Sequence, residues 1–412
     1  VGIAWDPLGN GKTSIRAGYG IYFDQLPALA TFENINNPPF LRFIQINNVP
    51  LLNPYASFSV DPRTQPFPCS IVSSATNAPV GCLILGFSPD FHTGYAQHFN
   101  LTIQHQVTPN LLAEVGYVGS TGTKLPGYLE INGAPPSPAG TPAGSNLAGF
   151  IQLHRPSTLY NLVRPTYSEF NSSYHSLQAS LTKRFSHGHS FLMSYTLSKA
   201  IDYQDSVNLG ETFPQNGVSL ADVRGLAQFD VHQRFVTSYN WELPFFQSSH
   251  GVVREALAGW QLGGILTFQT GNPLTATDGR DLNFQGLNLY DRPDQVGNPN
   301  DGPRVQQQWF NTSAFALTAP LGSVTKSVGR FGTAGRDTII GPGIANWDLA
   351  VLKDFRLHEA HSLQFRLEMF NCLNHANFNA PGTSINLGAA SFGVITSAKD
   401  PRTLQLALKY HF

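Results

Sequence analysis

Gly9-Asn10-Gly11-Lys12-Thr13 is the stretch that most invites a chemical reading, because glycines followed by lysine can cradle a polyphosphate on backbone N–H groups. That motif also needs glycine at position 6, where this chain has Asp6, and a helix after the loop to aim those groups. The residues after Thr13 alternate as a strand does, so the stretch reads as a hairpin turn. His232 and His375 stand beside polar residues and could ligate a metal or a substrate, but neither has a second ligand at helical or hairpin spacing. Hydrogen bonding that orders a loop is the expectation for both. Glu211, Asp222 and Asp230 could supply carboxylate catalysis, yet nothing pairs them, and an enzyme is not expected. Cys69 and Cys82 lie in a loop-like region, either bridged in an oxidising compartment or two unrelated thiols, and Cys372 stands alone. No cofactor is implied.

Composition narrows the class. Charged residues make up 12% of the 412 positions, about half the usual share for a soluble domain. Hydrophobic residues reach only 41%, and no apolar run is long enough for a transmembrane helix. Such dilution suits a β-barrel with a polar lumen and polar loops. The net charge of −1 leaves no basic surplus to neutralise phosphates, so no nucleic-acid partner is expected. The chain opens on Val1-Gly2-Ile3 without a secretory signal, which for an exported protein leads us to expect a fragment.

The elements that position these residues repeat one pattern. In Thr403 to Phe412, Leu404, Leu406, Leu408, Tyr410 and Phe412 share one parity, and Gln405, Ala407, Lys409 and His411 take the other. Successive strand residues point to opposite faces, so one face is apolar and the length suits a tilted bilayer crossing. The same alternation recurs at 2–6, 15–23, 95–107, 111–117, 177–185, 191–197, 235–243, 260–268, 347–355 and 363–369, giving eleven candidate strands. Short and long connections alternate, as the periplasmic turns and extracellular loops of an outer-membrane barrel do. Val252 to Ala258 could form a turn or two of helix inside one short connection. Phe392 to Ser397 reads as loop.

Arg16, Glu114, Arg184, Glu242, Arg366, Glu368 and Lys409 fall on the polar parity. They could line a wall against which a plug docks, or simply be solvated in a wet lumen. Trp5, Trp241, Trp260 and Trp347 fall on the apolar parity near strand ends, where interfacial aromatics belong. The odd count puts Val1 at the extracellular end of its strand, and an open edge at Gly2 to Asp6 is not tolerated in lipid, so a larger closed barrel is expected.

The chain resembles TonB-dependent outer-membrane receptors, in particular the Oar-like group common in acidobacterial genomes. The likeness rests on Asp230-Val231-His232-Gln233-Arg234-Phe235, Glu242-Leu243-Pro244-Phe245, Gly259-Trp260-Gln261-Leu262-Gly263-Gly264 and Gly271-Asn272-Pro273-Leu274-Thr275. It continues in Asn311-Thr312-Ser313-Ala314-Phe315, Arg366 to Asn371 and Asn374-His375-Ala376-Asn377-Phe378. Leu408, Tyr410 and Phe412 look like the terminal signal read by the barrel-assembly machinery. The resemblance implies an all-β, antiparallel transmembrane barrel of 22 strands with a plugged lumen, of which residues 1–412 would be the C-terminal portion. It also implies an integral outer-membrane location, a TonB-type energising complex as partner and uptake of an unidentified ligand. A structural or adhesive barrel with large surface loops and a passive diffusion channel remain the alternatives.

Overall fold

The computed structural model describes residues 1–23, 52–53, 70–72, 79–81, 83–158, 160–204, 214–287, 291–358, 361–388 and 390–412. Cys69, Cys82 and Glu211 lie outside them. The chain is all-β, with 49% strand and 6% helix. Eleven strands, all but the first of nine residues or more, follow one another in a single antiparallel order: β1 (Gly2–Trp5), β2 (Thr13–Phe23), β3 (Tyr95–Thr108), β4 (Leu111–Tyr128), β5 (Leu162–Ser186), β6 (His189–Asp202), β7 (Gln233–Glu242), β8 (Trp260–Gln269), β9 (Ile344–His358), β10 (His361–Phe370) and β11 (Thr403–His411). Two short strands join at its margin, Leu83–Phe87 parallel to β5 and Gly225–Leu226 against β6. The sheet does not close into a barrel; among the described residues β1 and β11 are its two edges.

Register carries one parity across the whole sheet. Trp5 lies opposite Ile15, Ile15 opposite Ile103 and Ile103 opposite Val115. From there the row runs through Ala179 and Tyr195 to Phe235, then Phe268. A one-residue slip anywhere would invert every later strand, so the apolar face stays continuous only in this register.

Several strands outrun the sequence expectation. The alternation suggests that β4 ends at Tyr117 and β5 starts near Leu177, with a long irregular region between. Instead the ladder continues through Leu125↔Phe170 to Tyr128↔Thr166, past bulges after Gly122 and Leu125. About ten tilted residues cross a bilayer, so most of this 25-residue β5 projects beyond it. Out there neither face meets lipid, so the polar–apolar alternation lapses while the hydrogen-bond ladder persists.

Nearly all buried apolar residues lie in the long connections or at the strand ends beside them. In one cluster Phe310, Phe315 and Phe392 meet edge-to-face at 5.0–6.0 Å between ring centroids, with Ala276, Ile339 and Ile385 around them. In the other, Phe284 packs on Ile151 of the helix Leu147–His154 and on Ala134. The 129–161, 270–343 and 371–402 connections therefore form a folded cap rather than separate loops. Phe392 belongs to the loop, as expected, and is one of the cap's buried rings.

Candidate functional site: the polar face and the cap

The polar face places its charges unevenly. Arg16 of β2 and Arg184 of β5 line one cavity of about 450 Å³ together with Lys12, Gln104 and Thr182. Arg366 and Glu368, two apart on β10, form an ion pair with Nε to Oε1 at 2.9 Å. Glu242 ends β7 opposite Gln261, and Lys409 lies opposite Gln364 of β10. Among the described residues neither Glu114, Glu242 nor Lys409 joins either group. The cavity's Gly11 and Lys12 belong to the 6–12 hairpin turn, where the Asp6 carboxylate accepts from the N–H groups of Leu8, Gly9 and Gly11 at 2.7–3.2 Å. Those bonds aim the turn's N–H groups at Asp6, not at a phosphate.

Aromatic side chains mark the other face at two levels. Trp5, Trp241 and Trp260 sit at the end with the short connections, and Trp347 near the end with the long ones. Trp347 donates through Nε1 to the Tyr239 hydroxyl at 3.1 Å. That hydroxyl lies over Gly264, where an added Cβ would come within 2.7 Å of it. Tyr410 bonds through its hydroxyl to Nδ1 of His361 at 2.7 Å and stacks beside Phe412.

At the end with the short connections, among the described residues, two lysines break the parity. Lys183 and Lys353 fall on the apolar face, opposite Leu111 and Trp260 respectively. Each folds back onto backbone carbonyls: Lys183 onto Ser186 and His189 at 2.8 and 3.1 Å, Lys353 onto Ala258. The Lys353 ammonium also lies 5.0 Å from the Phe355 ring centroid and 5.5 Å from that of Trp260. An ammonium with carbonyl and π partners loses less on leaving water than a bare one does.

Sequence reasoning named Asp222 but missed the other charges of the cap and their pairing. Glu130 accepts from Arg164 Nε at 3.0 Å and from the N–H groups of Val163 and Asn132; burial still pushes its carboxyl above the usual range. Arg292 reaches Asp222 at 2.6 Å, and Gln215 bridges Asp222 to the Gly332 carbonyl. Arg336 binds the Asp202 carboxylate at the end of β6, the Leu226 carbonyl at 3.1 Å and Asp337 at 3.2 Å. Asp291, buried beside Asp281 and Asp278, is pushed up to about 7, although it accepts from Leu282 N–H. The only trace of this in the sequence is isolated charge amid apolar residues, as at Leu129-Glu130-Ile131.

Of the candidate catalytic and ligating residues that the structure describes, Asp222 belongs to the cap, and Asp230, His232 and His375 are junction pieces. Asp230 accepts from Ala200 N–H at 2.7 Å, and His232 Nδ1 contacts the Ser198 carbonyl at 2.9 Å. Asn371 ties the backbone of His375 through both ends of its amide. Asp222 and Asp230 are not paired with each other. Among the described residues no group of three potential metal ligands converges.

The motif Gly271-Asn272-Pro273-Leu274-Thr275 is a junction of the same kind. An added Cβ at Gly271 would lie 1.9 Å from the Gly341 carbonyl oxygen, so only glycine permits that crossing. Asn272 accepts from Gly341 N–H at 2.9 Å, and Thr275 exchanges hydrogen bonds with Asp337. Asn377 likewise receives Ala345 N–H at the start of β9. These residue types recur where loops must leave strands at fixed angles.

The sequence matches the family described as "Outer membrane beta barrel domain" over residues 1–405. Comparison with curated proteins returns no match. Among solved structures, the outer membrane transporter YddB from Escherichia coli is similar with a TM-score of 0.50 at 12% identity, covering 99% of this chain and 40% of that one. The FrpB iron transporter from Neisseria meningitidis (F3-3 variant) aligns at TM-score 0.43 and 11% identity, over 100% of this chain and 38% of that one. The ferric-catecholate import receptor Fiu from K12 E. coli aligns at 0.41 and 10%, over 100% and 34%. This chain therefore spans about two fifths of the length of the YddB chain or less of the others. Continuous apolar face, polar opposite face, long and short connections on opposite ends and the family match agree: the chain belongs to the outer-membrane β-barrel domain family and is an integral outer-membrane protein.

Proposed function

We propose that this chain forms part of the wall and the outer cap of a TonB-dependent transporter of the Oar-like kind, taking up an unidentified ligand. The observation that carries the reading is the pairing of a polar sheet face with a cap that has its own core and buried ion pairs. A passive pore gains nothing from so much ordered structure above its mouth, whereas a receptor gains a rigid surface on which to capture a ligand. The resemblance to TonB-dependent receptors and the fold likeness to an outer membrane transporter point the same way.

In this reading residues 1–412 are the C-terminal portion of a larger, 22-stranded barrel domain, and a plug and N-terminal domains belong to the rest of the protein. Among the described residues nothing pairs with the outer edges of β1 and β11, which supports it, because lipid leaves no water for open backbone groups. Arg16, Glu114, Arg184, Glu242, Arg366, Glu368 and Lys409 would then face the lumen, and some would hold the plug. Leu408, Tyr410 and Phe412 would be read by the barrel-assembly machinery. The disulfide between Cys69 and Cys82 is kept as a proposal, tested by a two-dalton mass change on reduction.

Expressing the complete reading frame tests the function. A plugged receptor should be nearly silent in planar bilayers, and its uptake should stop when the proton-motive force is dissipated. Large steady conductance would establish a diffusion channel instead; surface binding without uptake would establish an adhesive or structural barrel. Reversing Arg366 and Glu368 should loosen plug retention and raise passive permeability.

A further inference from the structure

The connection from β7 to β8 stands apart from the other short-side connections. β3 returns into β4 through Pro109-Asn110, and β5 into β6 through His187-Gly188. Between Glu242 and Trp260 the chain instead forms a turn and the helix Gly251–Leu257. At about 100° per residue, Val252, Val253, Ala256 and Leu257 fall on one side of this helix, with Arg254 and Glu255 on the other. Val252 is 84% exposed, and Val253, Leu257, Phe245 and Phe246 are exposed too. No residue of the helix Gly251–Leu257 is buried.

Two contacts fix the side of the sheet on which the helix ends. Trp260 donates through Nε1 to the Ala256 carbonyl at 3.1 Å, and Lys353 donates to the Ala258 carbonyl. Both side chains belong to the apolar face, one directly opposite the other. The helix is therefore pinned at the rim of the lipid-facing side, below Trp241 and Trp260. Its exposed apolar residues extend the barrel's apolar band past the strand ends. Short connections mark the periplasmic end of an outer-membrane barrel.

We propose that residues 243–259 form an interfacial anchor, with Val252, Val253 and Leu257 dipping into the headgroup–acyl boundary of the periplasmic leaflet. Phe245 and Phe246 enter beside them. Arg254 and Glu255 stay on the aqueous side, the arrangement an amphipathic helix adopts in the interfacial plane. The occupant of the apolar surface is phospholipid, because the surface continues the face that already meets lipid. The inference rests on family membership and sheet register and is independent of what the protein transports.

Nitroxide labelling of the complete protein, with Cys69, Cys82 and Cys372 replaced by serine, tests it. Labels are placed singly at Val253→Cys, Leu257→Cys and Glu255→Cys, and the protein is folded into vesicles of phosphatidylethanolamine and phosphatidylglycerol. At Val253 and Leu257 the label should be more accessible to oxygen than to a water-soluble nickel chelate, and at Glu255 the order should invert. Chelate access exceeding oxygen at all three positions would show a solvated turn and overturn the proposal. Protection from both reagents at Val253 and Leu257 would show a protein occupant and overturn it equally.

Discussion

Arg336→Met is the substitution that most directly tests how the cap is held. The guanidinium is fully buried and joins the 270–343 connection to the end of β6 through the Asp202 carboxylate, and to the Leu226 carbonyl. Asp337, itself buried, lies 3.2 Å from Nε. Removing the arginine leaves Asp202 and Asp337 without that cation. Breaking a buried pair on one side costs about 3–5 kcal/mol. No solvent-screening discount applies, because the side chains of Arg336 and Asp202 are 0% and 7% exposed. If the cap opens locally while the strands stay paired, that cost speeds amide exchange across 270–343 by roughly a hundredfold to several thousandfold, at about 1.4 kcal/mol per tenfold. Exchange in β7 to β10, and the heat-modifiable gel mobility of the folded barrel, should not move. Adding Asp202→Asn should recover part of the loss, since less charge is then left uncompensated. Acceleration below tenfold, or uniform acceleration through the strands, would refute the reasoning: the first by showing no net worth in the pair, the second by showing that cap and barrel unfold together.

Asp291 gives a pH dependence of known sign. Its native pKa is raised to about 7, so native Asp291 keeps its proton where the unfolded chain has lost it, and its stabilising contribution fades as pH rises from about 4 to 7. Asp291→Asn should flatten that slope in cap exchange rates corrected for intrinsic chemistry. An unchanged slope would count against the assignment. Gly271→Ala should displace the crossing at Gly341 and lower folded yield; a wild-type yield would show that the crossing relaxes cheaply. Phe310→Ala removes the ring at the centre of the aromatic cluster and should destabilise the cap by about 3–5 kcal/mol, read as faster exchange around Phe315 and Phe392. Lys353→Gln removes the cation beneath Trp260 and should speed exchange at 251–259 without unfolding the barrel; unchanged rates there would mean that the Trp260 bond alone holds the helix.

All eleven strands from β1 to β11, their order and the two faces were legible in the residues alone. Lipid imposes a period of two on every crossing strand, and one register satisfies all of them. Thr403 to His411 shows this most plainly: its leucines and Tyr410 lie opposite Leu363, Phe365, Leu367 and Met369 with no slip. Where lipid ends, the period ends too, so the far halves of β4 and β5 and the pairing of Leu83–Phe87 with β5 were not readable. Lys183 and Lys353 likewise break a rule of parity for a reason visible only in space, the carbonyls and rings that receive them.

The candidate site divides along the same line. The sequence by itself determined which charges share the polar face, because alternation needs only the residue's own position. Tertiary structure alone decided that Arg16 and Arg184 meet at one cavity, that Arg336 finds Asp202 from 134 residues away, and that Phe310, Phe315 and Phe392 make a core. Long connections carry no repeating environment, so each contact in the cap is a separate long-range event whose partners no local period announces.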